Sequence, residues 1–229
     1  MRVLVTRPQD DADETAALLR ARGHEPVVAP LLGVNYHDRQ ALHLNGVQGL
    51  LFTSANGARA FARHTSRRDF TVFAVGTQTT EAARAAGFRD IHNADGNSED
   101  LARTVRAAAD PNSGTLLHAA GAEAEGRLAA ALAAAGYDVR SEVLYDVPAV
   151  GVMPRAARDA WPTLDAVLLY SARSAQVFAD YVRAADLDCA GVVACCISEP
   201  AAKPLGPLAL KAVRIAARPT QTALLDTLD

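Results

Sequence analysis

The chain has few cysteines and no long apolar run, and each of these features limits the classes of protein to which the chain can belong. Its 229 residues include three cysteines, an odd number, and Cys195 and Cys196 lie inside an apolar run. We therefore expect buried free thiols rather than a disulfide or a metal site. No apolar run approaches the roughly 20 residues of a membrane span, and Met1 leads directly into a predicted strand. We expect no membrane segment, no signal peptide and a cytoplasmic protein.

Excess positive charge is also absent. The formal net charge is −3, which excludes the broad basic surface that nucleic-acid binding requires. The residues 121–126 have the glycine spacing of a P-loop, but Arg-Leu follows instead of Lys-Ser/Thr, so nucleotide-triphosphate chemistry is not expected. The composition is that of an ordinary globular protein, 50% hydrophobic and 21% charged, and its length allows one large domain or two of about 110 residues.

Two stretches share one pattern, an apolar run that breaks into a polar turn and then resumes with helical spacing. The first is 48–61 and the second 165–178, with Ser171 where Ser54 stood. In open α/β sheets such turns lie at the carboxyl ends of strands, where ligands bind, and the N–H groups of the following helix suit an anion. We therefore predict that the two turns face one binding cleft.

Apolar runs alternate with alanine-rich helical segments along the rest of the chain. The runs are continuous rather than alternating, which predicts parallel sheets covered on both faces by helices. The pattern repeats after roughly 115 residues, which indicates a tandem duplication. The spacing leaves open whether each copy folds by itself or the copies exchange parts.

Several short motifs, in their order and spacing, resemble the uroporphyrinogen-III synthase family over nearly the whole chain. They are Val3-Leu-Val-Thr-Arg-Pro8, Leu51-Phe-Thr-Ser-Ala-Asn-Gly57, Ala74-Val-Gly76 with Thr79, Glu142-Val-Leu-Tyr145, Tyr170-Ser-Ala-Arg-Ser-Ala175 and Ile197-Ser-Glu-Pro200. The resemblance implies an α/β fold of two flavodoxin-like, parallel-sheet lobes joined by a two-stranded linker, with segments exchanged between the copies. One lobe would hold residues 1–34 and 164–229 and the other 35–150, with linkers near 31–38 and 146–154.

The resemblance also implies a reaction. The family closes linear hydroxymethylbilane to uroporphyrinogen III in tetrapyrrole (heme) biosynthesis, inverting ring D through a spirocyclic intermediate with loss of water and without a metal or organic cofactor. Geometry is expected to supply much of the selectivity, and uncharged hydrogen-bond donors suit a flexible ligand with eight carboxylates. We expect a monomer whose partner is this small-molecule substrate, and the resemblance leaves room for a hand-over from the preceding hydroxymethylbilane-forming enzyme.

The candidate site residues follow from the turns and the family likeness together. Tyr145 matches the family's tyrosine before the linker, and we expect it to donate a proton to the leaving hydroxyl or to orient that hydroxyl. The alternative is a tyrosine packed under the linker with its O–H on a backbone carbonyl. The expected substrate-binding residues are Thr6, Arg7, Thr53, Ser54, Asn56, Thr77, Thr79, Ser171, Arg173 and Ser198.

Structural alternatives remain open for these residues. Ser54 and Ser171 suit helix N-caps, a role compatible with binding. Arg7 and Arg173 could instead pair with a nearby Asp or Glu at the surface, and His118 is expected to be satisfied in its turn rather than catalytic.

Two other functions also remain open, an intracellular two-lobe small-molecule sensor without catalysis and a duplicated scaffold that has lost activity. Ala201, where many family members have threonine, would remove one hydroxyl contact.

Overall fold

The computed structural model describes residues 1–37, 42–124 and 126–229, with every side chain among them except that of Asp10. The chain divides into two compact units. Unit 1 contains residues 1–33 and 148–229, and unit 2 contains residues 34–147. The expected linker near 31–38 ends at Asp38, which lies outside the described residues.

Strands and helices alternate along the described residues. The strands are β1 (Arg2–Val5), β2 (Glu25–Val28), β3 (Asn35–Tyr36), β4 (Val47–Phe52), β5 (Thr71–Ala74), β6 (Ile91–Asn93), β7 (Thr115–Gly121), β8 (Val139–Asp146), β9 (Ala166–Leu169), β10 (Val193–Cys196) and β11 (Ala212–Ile215). The α-helices are α1 (Gln9–Ala21), α2 (Ala55–His64), α3 (Thr77–Ala85), α4 (Ser98–Ala108), α5 (Arg127–Ala134), α6 (Arg155–Ala160), α7 (Ala172–Ala184), α8 (Glu199–Ala202) and α9 (Gln221–Leu225).

Unit 1 is built on a parallel sheet of five strands in the order β11-β10-β9-β1-β2. Numbered within the unit, this is the order 2-1-3-4-5 of flavodoxin-type sheets. Successive residues of β1 point to opposite faces, so Leu4 packs with Phe178 in one core, and Val3 and Val5 pack with Leu224 in the other. Both faces are therefore covered, as the continuous apolar runs predicted.

Unit 2 is built on six strands in the order β3-β8-β7-β4-β5-β6. All neighbours are parallel except β3, which pairs antiparallel with the end of β8. Without β3 the order within the unit is 3-2-1-4-5, the other common doubly wound order. Phe52 and Leu117 pack into the core on one face, while Leu51 and Leu116 pack into the core on the other.

The prediction of a mixed α/β fold with parallel sheets is confirmed. No apolar run marks β3, a two-residue strand in a polar segment, and it forms by pairing antiparallel with the end of β8. This pair, with the antiparallel bridge between Leu32 and Ala149, lies where the family resemblance implied two linker strands. Cys189, Cys195 and Cys196 are buried and free, as expected, and burial raises the pKa of Cys196 to about 12. None of the described helices has the length and apolar character needed to cross a membrane.

Candidate functional site at the carboxyl edges of the sheets

All eleven predicted site residues lie at the carboxyl end of a strand or in the first turn of the helix that follows it. Because the strands concerned are parallel, these ends share one edge of each sheet, which we call the carboxyl edge. The carboxyl edge of unit 1 carries Thr6, Arg7, Ser171, Arg173 and Ser198. The carboxyl edge of unit 2 carries Thr53, Ser54, Asn56, Thr77, Thr79 and Tyr145.

Each sheet has a switch point, where the strand order reverses and doubly wound proteins bind ligands. In unit 1 it lies between β1 and β9, and Thr6 spans it, because its hydroxyl donates to the carbonyl of Leu168 at 2.7 Å. In unit 2 it lies between β4 and β7, with Ser54 just after β4 and Gly121 at the end of β7. The hydroxyl-bearing turns therefore lie where the topology favours a ligand.

Tyr145 and Ser54 form a hydrogen-bonded pair on unit 2, with 2.6 Å between the phenol oxygen and Ser54 Oγ. Ser54 is also the N-cap of α2, since its Oγ accepts the Gly57 N–H at 3.3 Å. The tyrosine is 6% exposed and its ring packs in the core with Phe52. Burial raises the pKa of Tyr145, and the hydrogen bond to Ser54 opposes that rise. The hydrogen-bond partner of the phenol among the described residues is thus a hydroxyl rather than a backbone carbonyl.

A β-bulge sets the face of the sheet to which the Tyr145 side chain points. Along the β7–β8 pair, Ala120 faces Val143 but Gly121 faces Tyr145, so Leu144 is one extra residue in β8. Neighbouring strand residues normally point to opposite faces, yet Leu144 and Tyr145 enter the same core cluster. Gly121 makes room for the ring, because a Cβ there would lie 2.9 Å from two ring carbons of Tyr145. Sequence reasoning missed Gly121; the available signal was a glycine at the end of an apolar strand.

His118 is 4% exposed in the middle of β7, and both of its ring nitrogens have hydroxyl partners. Thr53 Oγ1 lies 3.0 Å from Nε2, and Ser141 Oγ lies 3.4 Å from Nδ1. Burial lowers the pKa of His118 to about 4, so the ring is neutral at physiological pH. His118 is satisfied, as expected, but it lies within β7 and not in the turn that follows, and the Thr53 hydroxyl is bonded to this ring.

Arg7 is 6% exposed and bonded within unit 1. Its guanidinium pairs with Asp11 at 3.1 Å, donates to the side-chain oxygen of Gln221 and lies 4.3 Å from the ring centroid of Tyr170. The structure has the ion pair with a nearby carboxylate that was the alternative for Arg7, but the pair is buried and not at the surface. The sequence signal was the Arg7–Asp11 spacing of four residues.

The family model for uroporphyrinogen-III synthase HemD matches residues 13–226. The chain belongs to the uroporphyrinogen-III synthase family.

Solved structures of uroporphyrinogen-III synthases share the fold of this chain. The crystal structure of uroporphyrinogen-III synthetase from Helicobacter pylori 26695 matches with a TM-score of 0.69 and 15% identity, covering 100% of this chain and 98% of that one. A mutant uroporphyrinogen III synthase from the extremely thermophilic bacterium Thermus thermophilus matches with a TM-score of 0.55 and 17% identity, covering 100% and 97%. At these identities the similarity shows the fold alone.

A curated relative matches over a shorter stretch. A candidate uroporphyrinogen-III synthase of Methanocaldococcus jannaschii is 37% identical to this chain over 57 residues, which are 25% of this chain. The match spans 24%, about a quarter, of the length of that relative.

The remaining residues predicted from the uroporphyrinogen-III synthase likeness have varied surroundings. Ser171 caps α7 in a reciprocal capping box with Ser174, whereas Ser198 begins α8 without a side-chain cap. The side-chain oxygen of Asn56 accepts a hydrogen bond from Arg59 at 3.2 Å. Thr77 is exposed, and its hydroxyl donates to Asp95 at 3.3 Å. Thr79 is buried, and Arg173 is half-buried in the first turn of α7. The structure thus brings Ser54 and Tyr145 into contact, and it places the others along the two edges.

The positions of Thr79 and Ala201 are both buried. Ala201 is fully buried in the core of unit 1, and Thr79 is 4% exposed.

Across residues 1–37, 42–124 and 126–229, no three His, Cys, Asp or Glu side chains form a group that could hold a metal ion.

Proposed function

We propose that this protein is a uroporphyrinogen-III synthase, a cyclising lyase that closes hydroxymethylbilane to uroporphyrinogen III with inversion of ring D and loss of water. The observation that carries the proposal is the family match over residues 13–226. The proposal includes a spirocyclic intermediate, no cofactor, and action as a cytoplasmic monomer that takes its substrate from the preceding enzyme.

The carboxyl edges suit this substrate by their chemistry. They offer hydroxyls and helix N-termini rather than rows of cationic side chains, and the one buried arginine among the predicted residues is paired with Asp11. Helix N-termini carry partial positive charge and uncommitted N–H groups, which favour carboxylates without fixing each in a salt bridge. A floppy octacarboxylate can then be held in the folded shape that the ring inversion requires.

Tyr145 is the residue that we assign to the leaving hydroxyl. Its place at the carboxyl edge of unit 2, in contact with the hydroxyl of Ser54, supports the assignment. The raised pKa makes Tyr145 a hydrogen-bond donor rather than a strong acid, which suffices for a hydroxyl that leaves readily.

We also propose that the chain is a tandem duplication whose copies exchange segments to form two lobes joined near residues 33–34 and 147–148. The strand orders support this. If β1, β2, β4, β5 and β6 correspond to β7 through β11, each sheet holds the first two strands of one copy beside the last three of the other. Both sheets then have the same arrangement, although their order along the chain differs.

The test of the function supplies hydroxymethylbilane to the purified protein, oxidises the product and separates the isomers. We expect mainly the type III isomer, because spontaneous closure gives type I. A binding sensor or an inactive scaffold would leave only type I, and that result would reject the proposal.

Tyr145→Phe tests the assigned residue, and we expect turnover to fall at least about tenfold. Tyr137→Phe is the matched control, because Tyr137 is equally buried in unit 2 and its hydroxyl donates to the carbonyl of Ala109 at 2.9 Å. The control should lose stability but keep its turnover. Equal rates for Tyr145→Phe and the wild type would remove Tyr145 from the mechanism.

A further inference from the structure

We infer that Ser54 presents the hydroxyl hydrogen that reaches the substrate, and that Tyr145 acts through Ser54 by donating its phenol hydrogen to Ser54 Oγ. The inference rests on the proposed function and concerns the same site. It refines the assignment of Tyr145 made above: the phenol acts on the leaving hydroxyl through Ser54, so Ser54 is the catalytic residue and Tyr145 a positioning residue.

The first step counts hydrogens and lone pairs on Ser54. A serine hydroxyl has one hydrogen and two acceptor lone pairs. The Gly57 N–H, at 3.3 Å, occupies one lone pair as the cap of α2. The phenol of Tyr145, at 2.6 Å, either donates to the second lone pair or accepts the serine hydrogen.

Burial decides between these two arrangements. If Ser54 donated, the Tyr145 hydrogen would need another acceptor, and Ser54 is the hydrogen-bond partner that this phenol has within the described ranges. A buried donor without a partner loses its hydrogen bonds to water and gains none in the protein, which costs free energy. Ser54 is half-buried, so its own hydrogen can go to solvent or to a ligand at little cost. The arrangement of lower free energy therefore has Tyr145 donating and the Ser54 hydrogen free.

The charge state of Tyr145 agrees with this direction. Because burial raises the pKa of the phenol, Tyr145 keeps its hydrogen at physiological pH and must place it on an acceptor.

This arrangement makes Ser54 a better donor than an isolated serine. Its oxygen accepts from a backbone N–H at a helix N-terminus and from a phenol, and chained hydrogen bonds polarise one another. The free hydrogen lies at the carboxyl edge beside the switch point of unit 2. There it can donate a hydrogen bond to the leaving hydroxyl of hydroxymethylbilane. The hydroxyl departs with the electron pair of the broken C–O bond, and the pyrrole N–H of the same substrate ring supplies the proton that turns it into water, so Ser54 and Tyr145 both remain neutral.

The direction of the hydrogen bond can be measured without catalysis. The C–O stretching frequency of a phenol moves in opposite directions when the phenol donates and when it accepts. Ring-labelled tyrosine and subtraction of the Tyr145→Phe spectrum isolate the Tyr145 band. We expect the signature of a donor, lost in Ser54→Ala. The signature of an acceptor would overturn the inference.

Kinetics then test whether the two residues act as one unit. Ser54→Ala and Tyr145→Phe should each lower the rate of type III formation by about tenfold, the loss of one hydrogen bond, and the double variant should be no slower than either. Ser54→Thr keeps the hydroxyl and the cap, so it should retain most of the rate. Independent, multiplying effects, or a full rate in Ser54→Ala, would overturn the inference.

Thr220→Ala controls for loss of a helix cap. Thr220 caps α9 by accepting the Ala223 N–H at 3.3 Å, the distance found for Ser54 and Gly57, and it has no tyrosine partner within the described part of the chain. It should lose the stability that a helix cap contributes, which is one part of what Ser54→Ala loses, while keeping its turnover. A wild type that forms only the type I isomer would reject the proposed function, whereas the vibrational measurement would still decide the hydrogen direction.

Discussion

The imidazole of His118 lies between two hydroxyls in the core of unit 2, Thr53 at 3.0 Å from Nε2 and Ser141 at 3.4 Å from Nδ1. The sequence placed this histidine near the end of an apolar run, and that position alone indicated a satisfied side chain. Its neutrality depends on burial by residues distant in the chain. Protonation would place an uncompensated charge in the core, because hydroxyls stabilise a cation poorly.

We therefore predict that His118 makes the protein less stable in acid. Burial lowers the pKa of His118 from 6.5 to about 4, so below pH 6.5 the unfolded chain binds a proton that the folded protein does not bind. The free energy of unfolding should then fall between pH 6.5 and 4, by about 2 kcal/mol from pH 7 to pH 5 for this group. Denaturant titrations at both pH values, on the wild type and on His118→Gln, measure it. Equal pH dependence in both proteins would contradict the lowered pKa.

The Arg7 side chain connects several secondary-structure elements of unit 1. Arg7 follows β1, and its guanidinium contacts side chains from three other parts of the unit. Asp11 belongs to α1, Gln221 begins α9, and Tyr170 follows β9. A buried guanidinium shared in this way orders the turn that carries Thr6, so its effect on a ligand would be indirect.

We predict that Arg7→Met destabilises unit 1 strongly. Removing the guanidinium leaves the largely buried Asp11 carboxylate without this partner, and breaking a buried pair in this way costs about 3–5 kcal/mol. Arg22→Met is the matched control, since the Arg22–Asp226 pair is exposed and worth less than about 1 kcal/mol. Thermal and denaturant unfolding would show the difference. A carboxylate clamp would instead raise KM and leave stability at the wild-type value.

At the scale of the whole molecule, the two units draw on different parts of the chain. Unit 2 is continuous, residues 34–147, whereas unit 1 is interrupted by it. The two residues on either side of this interruption lie next to each other, because the Gly33 N–H donates to the Pro148 carbonyl at 2.9 Å. Each unit has a parallel sheet with a core on both faces.

We predict that each unit folds without the other. Residues 34–147 alone, and residues 1–33 joined to 148–229 through a short Gly-Ser turn, are both of ordinary domain size. Each should unfold in a single cooperative transition followed by circular dichroism, and each should give dispersed amide resonances. A unit that stays unfolded while the full chain folds would show that its core needs the other.

Local sequence patterns are enough to predict the strand-to-turn-to-helix units and the hydroxyls in the turns. These depend on local periodicity and on residues such as Ser54 and Ser171, whose capping partners lie three positions away. Parallel strands then bring their carboxyl ends to one edge, so the candidate residues could be predicted together on an edge.

Which of these side chains come into contact depends on how distant parts of the chain pack together. Tyr145 contacts Ser54, 91 residues away, because a bulge in β8 turns it and Gly121 leaves room for its ring. An extra residue in a ladder depends on how two distant strands are paired, and no local pattern records that pairing. For the same reason the burial that keeps His118 neutral, and the ion pair that keeps Arg7 in the interior, belong to the folded chain.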